Sequence, residues 1–174
     1  MTANTATSSC QKLCGDLTAA TYLYAANGPF VLTCQVFVTT SLWIEAGTTI
    51  YALSAAQAVG LGNADAAPAL VVQPGATIDA QGTVDAPITF TTNMANPGQE
   101  RGLWGGLIIM GDATVYGGTD EVEGITGYYY GGSDDDDNSG TLSYVRVWNG
   151  GAVIGSDNEI NGITFAGVGS GTTV

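Results

Sequence analysis

"LWIEAGTTI" at residues 42–50 and "LVVQPGATI" at residues 70–78 share one pattern. In both segments apolar residues alternate for a few positions, a glycine follows, and an isoleucine closes the segment. Alternation places Leu42 and Ile44 on the same side of a strand, and glycine suits a sharp corner because it accepts a positive φ. Each segment is therefore predicted to form a strand, a corner and a second strand whose isoleucine points inward.

Pairs of apolar residues separated by one position, which we expect to point inward, recur along the chain. They are Leu70/Val72, Ile88/Phe90, Leu107/Ile109, Leu142/Tyr144 and Ile163/Phe165. Most steps between pairs are about 20 residues, and the longer steps contain insertions. One insertion is the acidic stretch "YYYGGSDDDDNSG" (128–140), and the other, residues 53–67, permits a helical turn or two.

This spacing is typical of a solenoid, in which rungs of three short strands stack on one another. A β-sandwich would need the turn dipeptides of antiparallel hairpins, and these are scarce. The sequence therefore predicts an all-β parallel β-helix (β-solenoid) with loop insertions and rungs of roughly 20 residues. We expect the β-helix to span residues 29–174, after an N-terminal arm or cap at residues 1–28 that a disulfide staples to it.

The charge balance excludes several partners. The 174 residues carry a net charge of −13, with Lys12, Arg101 and Arg146 as the cations and no histidine. A surface this poor in cations does not bind nucleic acid or an anionic membrane. Neutral glycans, cations and other copies of the chain remain as partners, and no apolar run is long enough to insert into a membrane. No leader sequence is recognisable at the N-terminus, so we expect an extracellular or cell-surface protein whose leader has been removed.

Three cysteines, Cys10, Cys14 and Cys34, lie near the N-terminus. The CxxxC spacing without histidine is a poor zinc signal. A disulfide from Cys34 to Cys14, with Cys10 as the alternative partner, is the favoured interpretation, and reduced buried thiols are the other.

Longer blocks carry a resemblance to known proteins. The stretches "IEAGTTI", "QGTVDAPITFTT", "RGLWGGLIIMGDA", "YGGSDDDDNSGTLSYVRV" and "NEINGITFAGVGSGTTV" run from about residue 30 to the C-terminus. With them the chain resembles right-handed parallel β-helix domains of secreted or surface-anchored microbial proteins, many of them lipoprotein-like. The resemblance implies the fold and an extracellular location, and it implies no assigned activity.

The acidic stretch is a candidate calcium site. Asp135, Asp137, Ser139 and Gly140 fit D-x-D-x-S-G, where alternate oxygen ligands precede a sharp bend. An EF-hand is excluded because Arg146 occupies the twelfth position of the loop. The alternative is a solvated turn whose aspartates accept backbone hydrogen bonds.

Catalytic residues are not predicted. Without histidine there is no Ser-His or Cys-His nucleophile, and the acids lie in loops rather than on neighbouring strands. We expect structural roles for Trp104 and Tyr144 in packing and for Arg146 in ion pairing. A group of aromatic residues would serve either as packing ladders or as a sugar-stacking platform. The group comprises Trp104, Tyr116, Tyr128, Tyr129, Tyr130 and Trp148.

The favoured function is that of a non-catalytic structural β-solenoid in a surface layer, filament or adhesin. The chain reaches Val174 in "GVGSGTTV" without a recognisable polar cap, so we expect either a longer protein or assembly. Assembly would proceed by head-to-tail stacking or by strand donation to another copy. A carbohydrate-binding or carbohydrate-processing β-helix, of the lyase or hydrolase type, is the alternative.

Overall fold

The computed structural model describes residues 10–62, 67–92, 100–155 and 158–174, and they form mostly short strands. The strands are β1 (Gln11–Leu17), β2 (Thr21–Leu23), β3 (Phe30–Val38), β4 (Ser41–Ile44), β5 (Thr49–Ala52), β6 (Leu70–Val72), β7 (Thr77–Gln81), β8 (Ile88–Thr92), β9 (Leu107–Met110), β10 (Asp120–Glu121), β11 (Tyr129–Tyr130), β12 (Gly140–Ser143), β13 (Val145–Val147), β14 (Val153–Gly155), β15 (Asn158–Glu159) and β16 (Ile163–Ala166). Helix α1 (Ala55–Gly60) fits the helical turn or two predicted within residues 53–67, and a 3₁₀ turn covers Ala25–Asn27.

Parallel pairing stacks the strands into three faces. The first face contains residues 11–13 of β1, residues 30–32 of β3, then β5, β8 and β13. The second contains residues 15–17 of β1, residues 36–38 of β3, then β6, β9 and β16. The third contains β2, β4, β7 and β12. The chain visits the faces in this order in every rung, which confirms the predicted parallel β-helix.

Early rungs have the predicted length and later rungs carry the insertions. Gln11 pairs with Phe30 and Phe30 pairs with Ile50, so these steps are 19 and 20 residues. Ile50 then pairs with Phe90, because residues 53–69, which include α1, extend the rung between them. Loop length therefore changes from rung to rung while the strand register holds.

The repeated sequence pattern is a corner rather than a rung. Gly47 and Gly75 adopt φ values of 81° and 75° between their strands, as the pattern predicts. The first corner joins the third face to the first, and the second joins the second face to the third. Leu42 therefore pairs with Ile78 and not with Leu70. Similar corners look alike in sequence wherever two strands meet, so the apparent repeat does not mark equivalent positions.

The interior holds columns of aliphatic and aromatic side chains. The largest fully buried ones include Phe30, Phe90, Trp104, Ile78 and Leu107. Ile163 and Phe165 pair in register with the buried Leu107 and Ile109, so they point into the same column. They are nevertheless 42% and 39% exposed, because β16 pairs with a strand on one side only in the ranges that the structure describes.

Tyr144 does not point inward, and that prediction is wrong. This residue alone separates β12 from β13 and turns the corner with a φ of 47°. Its side chain is 60% exposed. A single-residue corner interrupts the alternation, so the inward series restarts at the next residue.

The first rung lies within the predicted N-terminal segment. β1 pairs with β3, β2 pairs with β4, and Cys14 forms the predicted disulfide with Cys34. Cys10 is free and exposed. The division at residues 28 and 29 stays a prediction, and residues 1–9 lie outside the described part of the chain. Over the described ranges, none of the helices has the length and hydropathy required to cross a bilayer.

The second face has an outer layer of its own. The loop after β9 folds back over it through the antiparallel pair β10–β11. Phe37 stacks on Tyr128 with ring centroids 4.3 Å apart, and Val122 and Ile125 are buried in the same apolar cluster. The insertion is thus anchored by a second small core outside the solenoid.

Candidate functional site

The acidic stretch joins two loops of the last rungs. Asp137 is 7% exposed, and its Oδ2 lies 2.8 Å from Ser139 Oγ and 3.3 Å from the backbone nitrogen of Gly169, both of which donate to it. Asp136 Oδ1 accepts a hydrogen bond from Ser170 Oγ at 2.9 Å. The carboxylates therefore stabilise the contact between residues 134–140 and residues 169–172.

Asp135 stands at the edge of this contact. Its Oδ1 accepts a hydrogen bond from the backbone nitrogen of Thr114 at 3.0 Å. That hydrogen bond lowers the pKa of the carboxyl from its ordinary value, because it favours the charged form. The arrangement has the geometry of the solvated turn that the sequence also allowed.

Calcium binding by Asp135, Asp137 and Ser139 stays a prediction. Two of these side chains use an oxygen in hydrogen bonds to backbone nitrogens, which a bound ion would compete with. In the described ranges, three or more acidic or cysteine side chains do not converge in a geometry suited to a metal ion.

A groove of about 340 Å³ runs between the insertion and β16. Its polar and aromatic lining is Glu121, Glu123, Tyr130, Glu159, Asn161, Thr164 and Phe165. Neither arginine nor the lysine lines it, so three carboxylates give it a negative potential. The groove therefore suits neutral or cationic ligands better than acidic ones.

Hydrogen bonds fix the walls of this groove. Glu123 Oε1 accepts from the backbone nitrogen of Glu159 at 3.0 Å, which joins the insertion to β15. Glu121 Oε1 accepts from the backbone nitrogen of Gly127 at 3.0 Å. A hydrogen bond to Glu121, together with the negative charge of that carboxylate, raises the pKa of the Tyr129 hydroxyl. The sequence placed these acids in loops but gave no sign that they share one groove.

Two further predicted residues pack at one corner. Trp104 is fully buried, stacks on Phe90 and donates from Nε1 to the carbonyl oxygen of Trp148 at 2.7 Å. The guanidinium of Arg146 lies 6.0 Å from the centroid of the Trp148 ring, a cation–π contact. Over the described residues this contact replaces the ion pair expected for Arg146.

The six aromatic residues named from the sequence do not share a surface. Tyr128 packs on Phe37, Trp104 is buried in the solenoid, and Tyr116 is fully exposed on a loop. A different aromatic group does lie on one surface: Tyr22, Tyr24 and Trp43 contact one another outside the third face. In the sequence these aromatic residues alternate with Leu23, Leu42 and Ile44, which are buried. That alternation indicates that the rings lie on the outer surface.

Three stacked faces of parallel strands define a parallel β-helix protein. A family model described as a pectate-lyase-like β-helix domain matches residues 15–174. The chain belongs to that family. No match to a curated protein or to a solved structure was found.

Proposed function

We propose that the protein is a non-catalytic, extracellular structural β-solenoid that assembles head to tail within a surface layer, filament or adhesin. The observation that carries this proposal is the apolar end of the last rung. Ile163 and Phe165 belong to the interior column yet remain about two-fifths exposed, and they border a depression of about 180 Å³ with Leu142, Val145 and Val174. Exposed apolar ends of this kind favour association.

The first rung offers a matching surface. Among the described residues β1 pairs with β3 only, and its two halves lie on the first and second faces. β13 and β16 occupy those faces at the other end, and within the described part of the chain each pairs on one side only. All these strands run in one direction, so a second copy stacked in register would place its β1 beside β13 and β16. Such a contact is heterologous and generates a filament.

The extracellular location is supported by the disulfide between Cys14 and Cys34, since such bonds persist in oxidising compartments. Charged residues are few in the sequence, and they give a net charge of −13. High ionic strength would screen the repulsion between copies and favour assembly.

Sedimentation velocity and negative-stain electron microscopy of the full chain test assembly. We expect larger species as protein and salt concentrations rise, and their loss in Ile163→Asp, which places a charge in the apolar end. Val59→Asp is the matched control, because Val59 is 57% exposed in α1, and the rung of β8 and β9 separates that corner from β13 and β16. A wild-type protein that stays monodisperse at high protein and salt concentrations would refute the proposal.

Carbohydrate processing is a second candidate, favoured by the family description and by the groove with three glutamates. Paired carboxylates are the groups that hydrolyse glycosidic bonds. Release of reducing ends from neutral glycans, abolished in Glu123→Gln, would support it. Absence of release across a panel of neutral glycans would leave the non-catalytic proposal standing.

A further inference from the structure

The third face carries a cluster of exposed aromatic rings on its outer side. Tyr22 pairs in register with Trp43, between flanking residues that point into the core. The ring centroids of Tyr22 and Trp43 lie 6.2 Å apart, those of Tyr24 and Trp43 5.5 Å, and those of the two tyrosines 6.3 Å. Tyr22 is 57% exposed and Tyr24 45%. The mutual contacts hold the rings in place before any ligand arrives.

Polar side chains continue the same outward column. Trp43 pairs with Asp79, and Asp79 pairs with Thr141 on the next rung. Asp79 Oδ1 accepts a hydrogen bond from the amide of Gln81 at 2.9 Å, so a carboxylate and an amide stand together beside the aromatic rings. The surface formed by Tyr22, Tyr24, Trp43, Asp79 and Gln81 is called the aromatic platform below.

The chemical groups of the platform indicate which kind of ligand it can bind. Flat, amphipathic rings next to hydrogen-bonding groups fit a molecule with both C–H faces and hydroxyl groups. Asp79 and the net charge of −13 disfavour an anionic ligand. An apolar protein surface or a lipid would remove water from the charged Asp79 and from the atoms of Asp79 and Gln81 that lie outside their mutual hydrogen bond, which costs binding energy.

We propose that the aromatic platform binds a neutral glycan, whose pyranose rings stack on Tyr22 and Trp43 while their hydroxyl groups bond Asp79 and Gln81. The column runs along the solenoid axis across β2, β4 and β7, so a glycan chain has successive contacts along it. This site goes beyond the proposed assembly, because its side chains point outward from the third face, whereas the assembly contact uses the edges of the terminal strands. Assembled copies would therefore keep it open.

Isothermal titration calorimetry with soluble oligosaccharides tests the site. The probes are β-1,4-glucan, β-1,3-glucan and mannan oligosaccharides, with oligogalacturonate as the anionic counterpart. We expect binding of at least one neutral probe and none of oligogalacturonate. Tyr22→Ala and Trp43→Ala should each weaken binding about three- to tenfold, the range for loss of one aromatic contact. Tyr22→Phe keeps the ring and should restore most of the affinity.

Trp148→Ala is the matched control, because Trp148 is a 53% exposed tryptophan at another corner. It should leave the affinity within about twofold of wild type, which corresponds to less than about 0.5 kcal/mol. Melting curves establish that each variant is folded. The proposal is overturned if no neutral probe binds, or if Trp148→Ala weakens binding as much as Trp43→Ala. Repeating the titration in Ile163→Asp separates the two proposals, because glycan binding should persist there when assembly is lost.

Discussion

Replacing Asp137 with alanine should destabilise the fold measurably. The substitution leaves the backbone nitrogen of Gly169 without its 3.3 Å acceptor, whereas the Ser139 hydroxyl retains Met110 O at 3.2 Å. A hydrogen bond to a charged acceptor contributes about 1.5–3 kcal/mol, so we expect a net loss of about 2 kcal/mol. For a domain of this size that loss lowers Tm by about 4–8 °C.

Thermal unfolding followed by near-UV circular dichroism, in EDTA at neutral pH, measures the effect. Asp136→Ala is the matched control: Asp136 is exposed and loses one surface hydrogen bond, to Ser170 Oγ, so Tm should fall by no more than about 2 °C. Equal melting temperatures for the two variants would refute the assignment of Asp137 as a structural acceptor. Repeating the melts in millimolar calcium tests the calcium prediction, because an ion bound only to the folded wild type raises its Tm.

Three further outcomes follow from the structure. Gly140→Ala should lower the free energy of unfolding in urea by about 3 kcal/mol or more, because Gly140 has a φ of 125° and a Cβ there would overlap a backbone carbonyl of β7. The control Gly162→Ala, where a Cβ would enter open space, should lower it by about 0.5 kcal/mol or less. The backbone hydrogen bond from Thr114 lowers the pKa of Asp135. The contribution of the Asp135 carboxylate to folding stability is therefore fully present above the ordinary aspartate pKa and is lost as pH falls through the lowered pKa. In Asp135→Asn the free energy of unfolding should therefore fall less steeply with decreasing pH than in the wild type. The same slope in both proteins would contradict this prediction. The double substitution Cys14→Ser/Cys34→Ser, which opens a 20-residue loop, should lower the free energy of unfolding by about 3 kcal/mol, whereas Cys10→Ser should not change it.

The sequence predicts the class of fold well because inward-pointing residues are set by local alternation. Strands such as Leu70–Val72 and Ile88–Thr92 show it directly, and the glycines of two corners have the expected positive φ. It predicts less well which strands are neighbours. Leu42 and Leu70 have similar surroundings in sequence but lie on different faces, since pairing depends on the lengths of the intervening loops.

The candidate functional surfaces are harder to predict from the sequence than the fold, because each combines residues from different rungs. Glu121, Glu123 and Glu159 share a groove although a long segment separates the first two from the third. The aromatic platform likewise joins β2 to β4 through their register. The composition of the run of four aspartates predicts an ion site, yet all four carboxylates accept hydrogen bonds within the fold.

The unequal corners have a consequence for how this scaffold tolerates change. The corner from the first face to the second holds the long loops that follow β5 and β13. In its described parts the backbones of successive rungs continue the stacking, because the carbonyl of Leu103 accepts a hydrogen bond from the nitrogen of Ala55 and the nitrogen of Leu103 donates to the carbonyl of Asn149. The corner from the third face back to the first is short, down to one residue at Tyr144. Two corners thus accept extra sequence, the one from the first face to the second and the one after β9 that holds the acidic insertion, while the corner from the third face to the first keeps successive rungs aligned. A foreign peptide grafted into the corner between the first and second faces would be displayed on the surface with the hydrophobic columns undisturbed.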